Sequence, residues 1–231
     1  MSATHSATQA PPNARPLVNW REELAKKTAT ANLKDRIGNV AGNAITTKGK
    51  LFTTPDGKSN PGPMRIIVLD FISINTYYDG PYNPNQLKPP VCWAIGPTID
   101  ALAPSPKAPQ RQHETCLTCP KNEWGSDGGK GKACKNGYRL AVCAPDANES
   151  TMIMTLGVNK KALSIWNTYV SNLQARFGAQ ATPAFFITEV SFNPNMTYPS
   201  LMFNFVSEHD NPHVAYLYDL AQPILEREPS A

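Results

Sequence analysis

The stretch MRIIVLDFISIN, residues 64–75, is the strongest strand signal in the chain and decides the fold class. Ile66, Val68, Phe71 and Ile74 supply its apolar mass, in a run too continuous for alternation to assign its faces. Upstream, Leu51 to Thr54 reads as a strand ending in a Pro55-Asp56-Gly57 turn. Downstream, Tyr77, Tyr78 and Tyr82 surround Asp79-Gly80-Pro81. Tyrosines at a strand exit are candidates for stacking on bases, although such residues also cap sheet edges.

Further strands are expected at 139–143, 152–156, 184–192 and 201–207, the last two joined through a turn at Asn193-Pro194-Asn195. The period changes once. Leu163, Trp166, Val170, Leu173 and Phe177 fall on one face of a helix over 160–177, which Asn159 can cap and Gly178 stops. A second helical pattern includes Val214, Leu217, Leu220 and Ile224. These elements predict a mainly β protein with one or more helices. A barrel or half-barrel of the oligonucleotide-binding type suits them, and a sandwich or mixed sheet is the alternative.

The expected organisation is a polar N-terminal arm at 1–18, a single domain over 19–215 with a loop module inserted at about 88–138, and a C-terminal tail at 216–231. Asn19 can cap a short helix at the start of the domain, with Glu22 and Glu23 early and Lys26 and Lys27 late. Neither a signal peptide nor an apolar run of membrane-spanning length is legible, so a soluble cytoplasmic protein with no membrane partner is expected. Residues 1–139 hold 18 Lys/Arg against 10 Asp/Glu, and residues 140–231 hold 4 against 8. That asymmetry is compatible with a polyanion-binding face as well as with a solvated surface.

Five cysteines, three of them between Cys116 and Cys134, suit a metal better than a disulfide framework in a reducing compartment. Cys116 and Cys119 form a Cys-x2-Cys turn, and Cys134 follows a return rich in glycine. A structural zinc ion needs a fourth ligand to close its tetrahedron. Cys92 is the favoured candidate, with His113 and Cys143 as alternatives. Lys121, Lys130, Lys132, Lys135 and Arg139 crowd the same region, with Trp124 among them. Lysines on such loops reach phosphates, and a tryptophan stacks on a base without reading its identity. The bland alternative is a wet surface over a small knuckle.

With Tyr77 to Tyr82, Pro90 to Trp93, the run at 116–126 and Gly129 to Lys135 in view, the chain resembles a family of tailed-phage replication proteins, some of them single-stranded DNA-binding proteins. The resemblance covers about 50–215. It implies one structural zinc on Cys92, Cys116, Cys119 and Cys134, a nucleic-acid-binding fold and host cytoplasm as the location. The chain departs from the pattern at Tyr138, where the family often carries a second arginine beside Arg139. Its weakly acidic C-terminus is a poor match for a tail that recruits replication proteins.

The function expected is sequence-independent binding of single-stranded DNA in phage replication or recombination. Tyr77, Tyr78, Tyr82 and Trp124 would stack, and Lys130, Lys132, Lys135 and Arg139 would contact phosphates. Phage or host replication proteins and a second copy of the chain are the other expected partners. A zinc-stabilised protein-interaction or transcription-modulating factor is the alternative. An enzyme is not expected, because Asp70, Asp79, Glu114, Glu123 and Asp127 form no paired carboxylate motif.

Overall fold

The apolar run at 64–75 belongs to strand β4 (Met64–Tyr77), and its continuity has a cause: both faces are buried. Ile66 and Val68 pack into one core, while Ile67 and Leu69 pack into a second on the opposite face. A register shift between Val68 and Asp70 then exchanges the faces. Beyond it Phe71 joins the first core and Ile72 the second. Because side chains alternate with period two, one extra residue is enough to invert the pattern.

The computed structural model describes residues 42–80, 88–129 and 131–229. The expected arm at 1–18, the helix following Asn19, Tyr82 and Lys130 lie outside the described residues. From Asn43 onward the chain forms one compact unit. Besides β4 it contains β1 (Ala44–Ile45), β2 (Phe52–Thr53), β3 (Ser59–Asn60), β5 (Cys92–Gly96), β6 (Lys135–Cys143), β7 (Met154–Asn159), β8 (Phe186–Phe192) and β9 (Leu201–Glu208). Among the described residues two α-helices follow, α1 (Leu163–Phe177) and α2 (Val214–Leu225). None of the described helices is long and apolar enough to cross a membrane.

The main sheet runs β1-β7-β6-β4-β8-β9, with β5 beside the second half of β4. All its pairings are antiparallel except that of β1 with β7. The sheet is curled and partly open, a half-barrel in a mixed α/β fold, so a closed barrel gives way to the open form. Helix α1 covers one face, placing Trp166 against Phe71 and Phe203. Tyr169 there hydrogen-bonds Thr188 through its hydroxyl at 2.6 Å. Helix α2 covers the other face with Leu217, Ala221 and Leu225. The segment expected to begin a tail at 216 is therefore mostly a packed helix. Beyond it, Glu228 hydrogen-bonds Ser105 and pairs with Lys107 at 2.9 Å, which hold its carboxyl below the usual range.

The amphipathic reading of 160–177 holds in the structure, preceded by a turn of 3-10 helix at Lys160–Ala162. The Asn159 side chain accepts a hydrogen bond from the Lys161 amide at 3.1 Å. Gly178 leaves the helix with φ +100°, a conformation that glycine adopts without the usual steric cost.

Candidate nucleic-acid interface

Strand register brings the segments richest in candidate residues to one end of the sheet. Tyr77 at the end of β4 faces Cys92 at the start of β5, and Thr76 faces Lys135 at the start of β6. Asn159 at the end of β7 faces Gly137. A methyl group on Gly137 would stand 2.7 Å from the Val158 carbonyl oxygen, so only glycine permits the approach of β7 that fixes Asn159 and the lysines after it.

The loop from 97 to 134 folds onto this end. Cys92, Cys116, Cys119 and Cys134 are buried and line one small cavity with Asn75 and Asn122. Amide side chains tie the loop to the sheet. Asn136 donates to Asn75 at 2.6 Å and to Asn122 at 3.0 Å, and Asn122 donates to the Cys116 carbonyl at 2.7 Å. The Asn75 Nδ2 makes no close hydrogen bond of its own, and its influence on the Cys116 thiol opposes the larger effect of burial.

Sharing a cavity is not a coordination shell. Among the described residues no group of three or more His, Cys, Asp or Glu side chains is arranged to hold a metal ion, which overturns the expectation of one structural zinc on Cys92, Cys116, Cys119 and Cys134. The thiols are free and buried. Burial first, then the neighbouring Cys116, Cys119 and Cys92, push Cys134 up to about 12, with only Lys132 opposing. Burial also raises Cys116. A buried protonated thiol packs as a small apolar group. His113 is exposed, with its Nδ1 3.4 Å from the Thr115 amide. Cys143 lies fully buried in the core beneath α2 and is pushed up to about 12 by burial alone.

The aromatic candidates lie outside that cavity or at its rim. Trp124 is 70% exposed, and the Lys160 ammonium rests 4.3 Å from its ring centroid. Tyr78 is 45% exposed. Tyr77 is half-buried with Lys121 over its ring at 5.3 Å.

The expected phosphate contacts fare differently from one another. Lys132 is half-buried, and its ammonium lies 3.3 Å from the Asn122 side-chain oxygen. Lys135 is exposed but ion-paired with Asp127 at 2.7 Å. Arg139 is half-buried. It lies on the same side of β6 as Ala141 and Cys143, opposite Gly157, and donates to the Leu225 and Arg227 carbonyls at 2.7 and 2.6 Å. Its surroundings depress its pKa, by burial first and by the Arg227 charge second. The guanidinium thus closes the C-terminus of α2, where the helix presents unsatisfied carbonyls and partial negative charge.

Sequence reading missed Lys160, Lys161 and Tyr198. Lys161 lies 3.3 Å from the Tyr198 ring centroid, and Lys160 covers Trp124. The two lysines were legible only as the first turn of a helix, and Tyr198 only as part of a connection between strands. No known protein family, curated protein or solved structure matches the chain.

Proposed function

We propose that this protein binds single-stranded DNA without sequence preference, through the surface around the cysteine loop. Carrying this reading is the exposed Trp124 ring under the Lys160 ammonium, a stacking platform with a phosphate-neutralising charge beside it. Tyr78, Tyr77 and Lys121 extend the surface toward the end of β4. Every base has a π-face, so rings on such a surface take bases irrespective of identity, while lysines follow the backbone. The oligonucleotide-binding character of the half-barrel is part of the same proposal, since such folds bind strands on their loops and strand ends. A role in phage replication or recombination rests on the family resemblance.

A ring worth about 1–3 kcal/mol of stacking makes Trp124→Ala the informative variant. It is expected to weaken binding of a labelled oligothymidine strand about tenfold or more while leaving the melting temperature unchanged. Wild-type affinity in Trp124→Ala would remove the residue that carries the proposal.

A second reading has its own surface. Tyr216, Tyr218 and Leu220 on α2 are each more than two-fifths exposed, which favours a protein-docking role. It predicts loss of partner capture, not of strand affinity, when they are made polar.

A further inference from the structure

We infer that the strand-binding track continues past the cysteine loop, over Lys160 and Lys161, onto Tyr198 and Lys50. This rests on the reading above and extends it to a binding surface for which the sequence carries no motif. Three contacts join the parts: Lys160 over Trp124 at 4.3 Å, Lys161 over Tyr198 at 3.3 Å, and the Lys50 ammonium 3.4 Å from the Asn193 carbonyl in the loop bearing Tyr198. Lys160 and Lys161 are exposed, and the Asn159 cap together with the adjacent β6–β7 pairing fixes their backbone.

Charge favours the extension over the loop itself. The cysteine loop mixes signs, with Glu123 exposed and Asp127 neutralising Lys135. By contrast, residues 37–55, 150–188 and 190–207, which supply the extension, contain no Asp or Glu. Lys48, Lys50, Lys160 and Lys161 therefore have no carboxylate neighbour within their own segments. Along the track two rings, Trp124 and Tyr198, flank two adjacent ammonium groups, Lys160 and Lys161. A single strand offers bases free to stack on the two rings and backbone phosphates between them for the two ammonium groups, whereas a duplex keeps its bases paired inside. An ammonium resting on a ring is a cation kept beside a stacking platform; when a base takes the ring, the lysine turns to the adjoining phosphate.

The test uses the full chain and a labelled oligothymidine strand, titrated by fluorescence anisotropy across salt concentrations. Lys160→Ala with Lys161→Ala is expected to reduce the magnitude of the salt slope by about 1.4, two single-strand phosphate contacts. Tyr198→Leu is expected to weaken binding about tenfold through lost stacking. Lys161→Glu, an exposed change that leaves the fold intact, is expected to weaken binding more than Lys161→Ala. If these variants match wild type in affinity and slope while Trp124→Ala binds weakly, the track ends at the cysteine loop and the inference fails alone. If the wild-type chain does not bind the strand at low salt, the function proposed above fails with it. Should Tyr198→Leu melt early, the lysine variants decide.

Discussion

Replacing Arg139 by methionine keeps most of the buried stem and removes the charged fork that joins β6 to the end of α2. Two short hydrogen bonds to carbonyls are lost, at 2.7 Å to Leu225 and 2.6 Å to Arg227. A bond involving a charged group is worth about 1.5–3 kcal/mol, and a cation at a helix C-terminus adds roughly 0.3–1 kcal/mol. Desolvation of the guanidinium, visible in its lowered pKa, offsets part of this. The net loss expected is about 2–3 kcal/mol, or about 5–10 °C in melting temperature for a domain of this size. Urea unfolding followed by far-UV circular dichroism measures it, and Arg139→Lys should recover part of the loss. Strand affinity and its salt slope, measured well below the melting temperature, should stay at wild-type values. An Arg139→Met protein as stable as wild type but with a shallower salt slope would refute the reasoning and return Arg139 to the binding surface.

Tyr169→Phe leaves the Thr188 hydroxyl without its buried partner and is expected to cost about 1–2 kcal/mol in chemical unfolding. Trp166→Ala removes the ring on which Phe71, Tyr169 and Phe203 pack and is expected to cost about 3–5 kcal/mol in the same assay. Cys143 carries a pH dependence. Its folded pKa of about 12 lies above the ordinary thiol value of 9.0, so the unfolded chain loses the proton first as pH rises. The stability contributed by this thiol is fully present below about pH 9 and lost progressively toward about pH 12. Cys143→Val should therefore flatten the alkaline fall in unfolding free energy, and an unchanged slope would show that this thiol is not its source.

Much of the architecture was legible in the chain because short-range rules govern it. The helix after Asn159 announces itself by cap, apolar stripe and stopping glycine, and the structure follows each of them. The strand at 64–75 was legible as a strand but not as a two-faced one. Its bulge after Val68 inverts the alternation, and the helix burying its second face lies far along the chain. Arg139 was misread for the same reason: a lone arginine near a basic loop looks available until the helix end it closes is in place. Trp124 kept the exposure expected of a stacking residue, whereas Lys132 and Lys135 found partners within their own loop. The cysteines do gather about one cavity, yet spacing alone could not supply the geometry of a metal site. Lys161 and Tyr198 meet only through tertiary structure, since neither belongs to any local pattern that includes the other.

Binding of a labelled single strand and of the same sequence as duplex, each titrated across salt concentrations, tests the central claim most directly. With Lys50, Lys121, Lys160 and Lys161 as phosphate contacts, the account predicts a single-strand preference and a slope of log affinity against log salt of roughly −3. Equal affinity for both forms, or no binding at low salt, would contradict it.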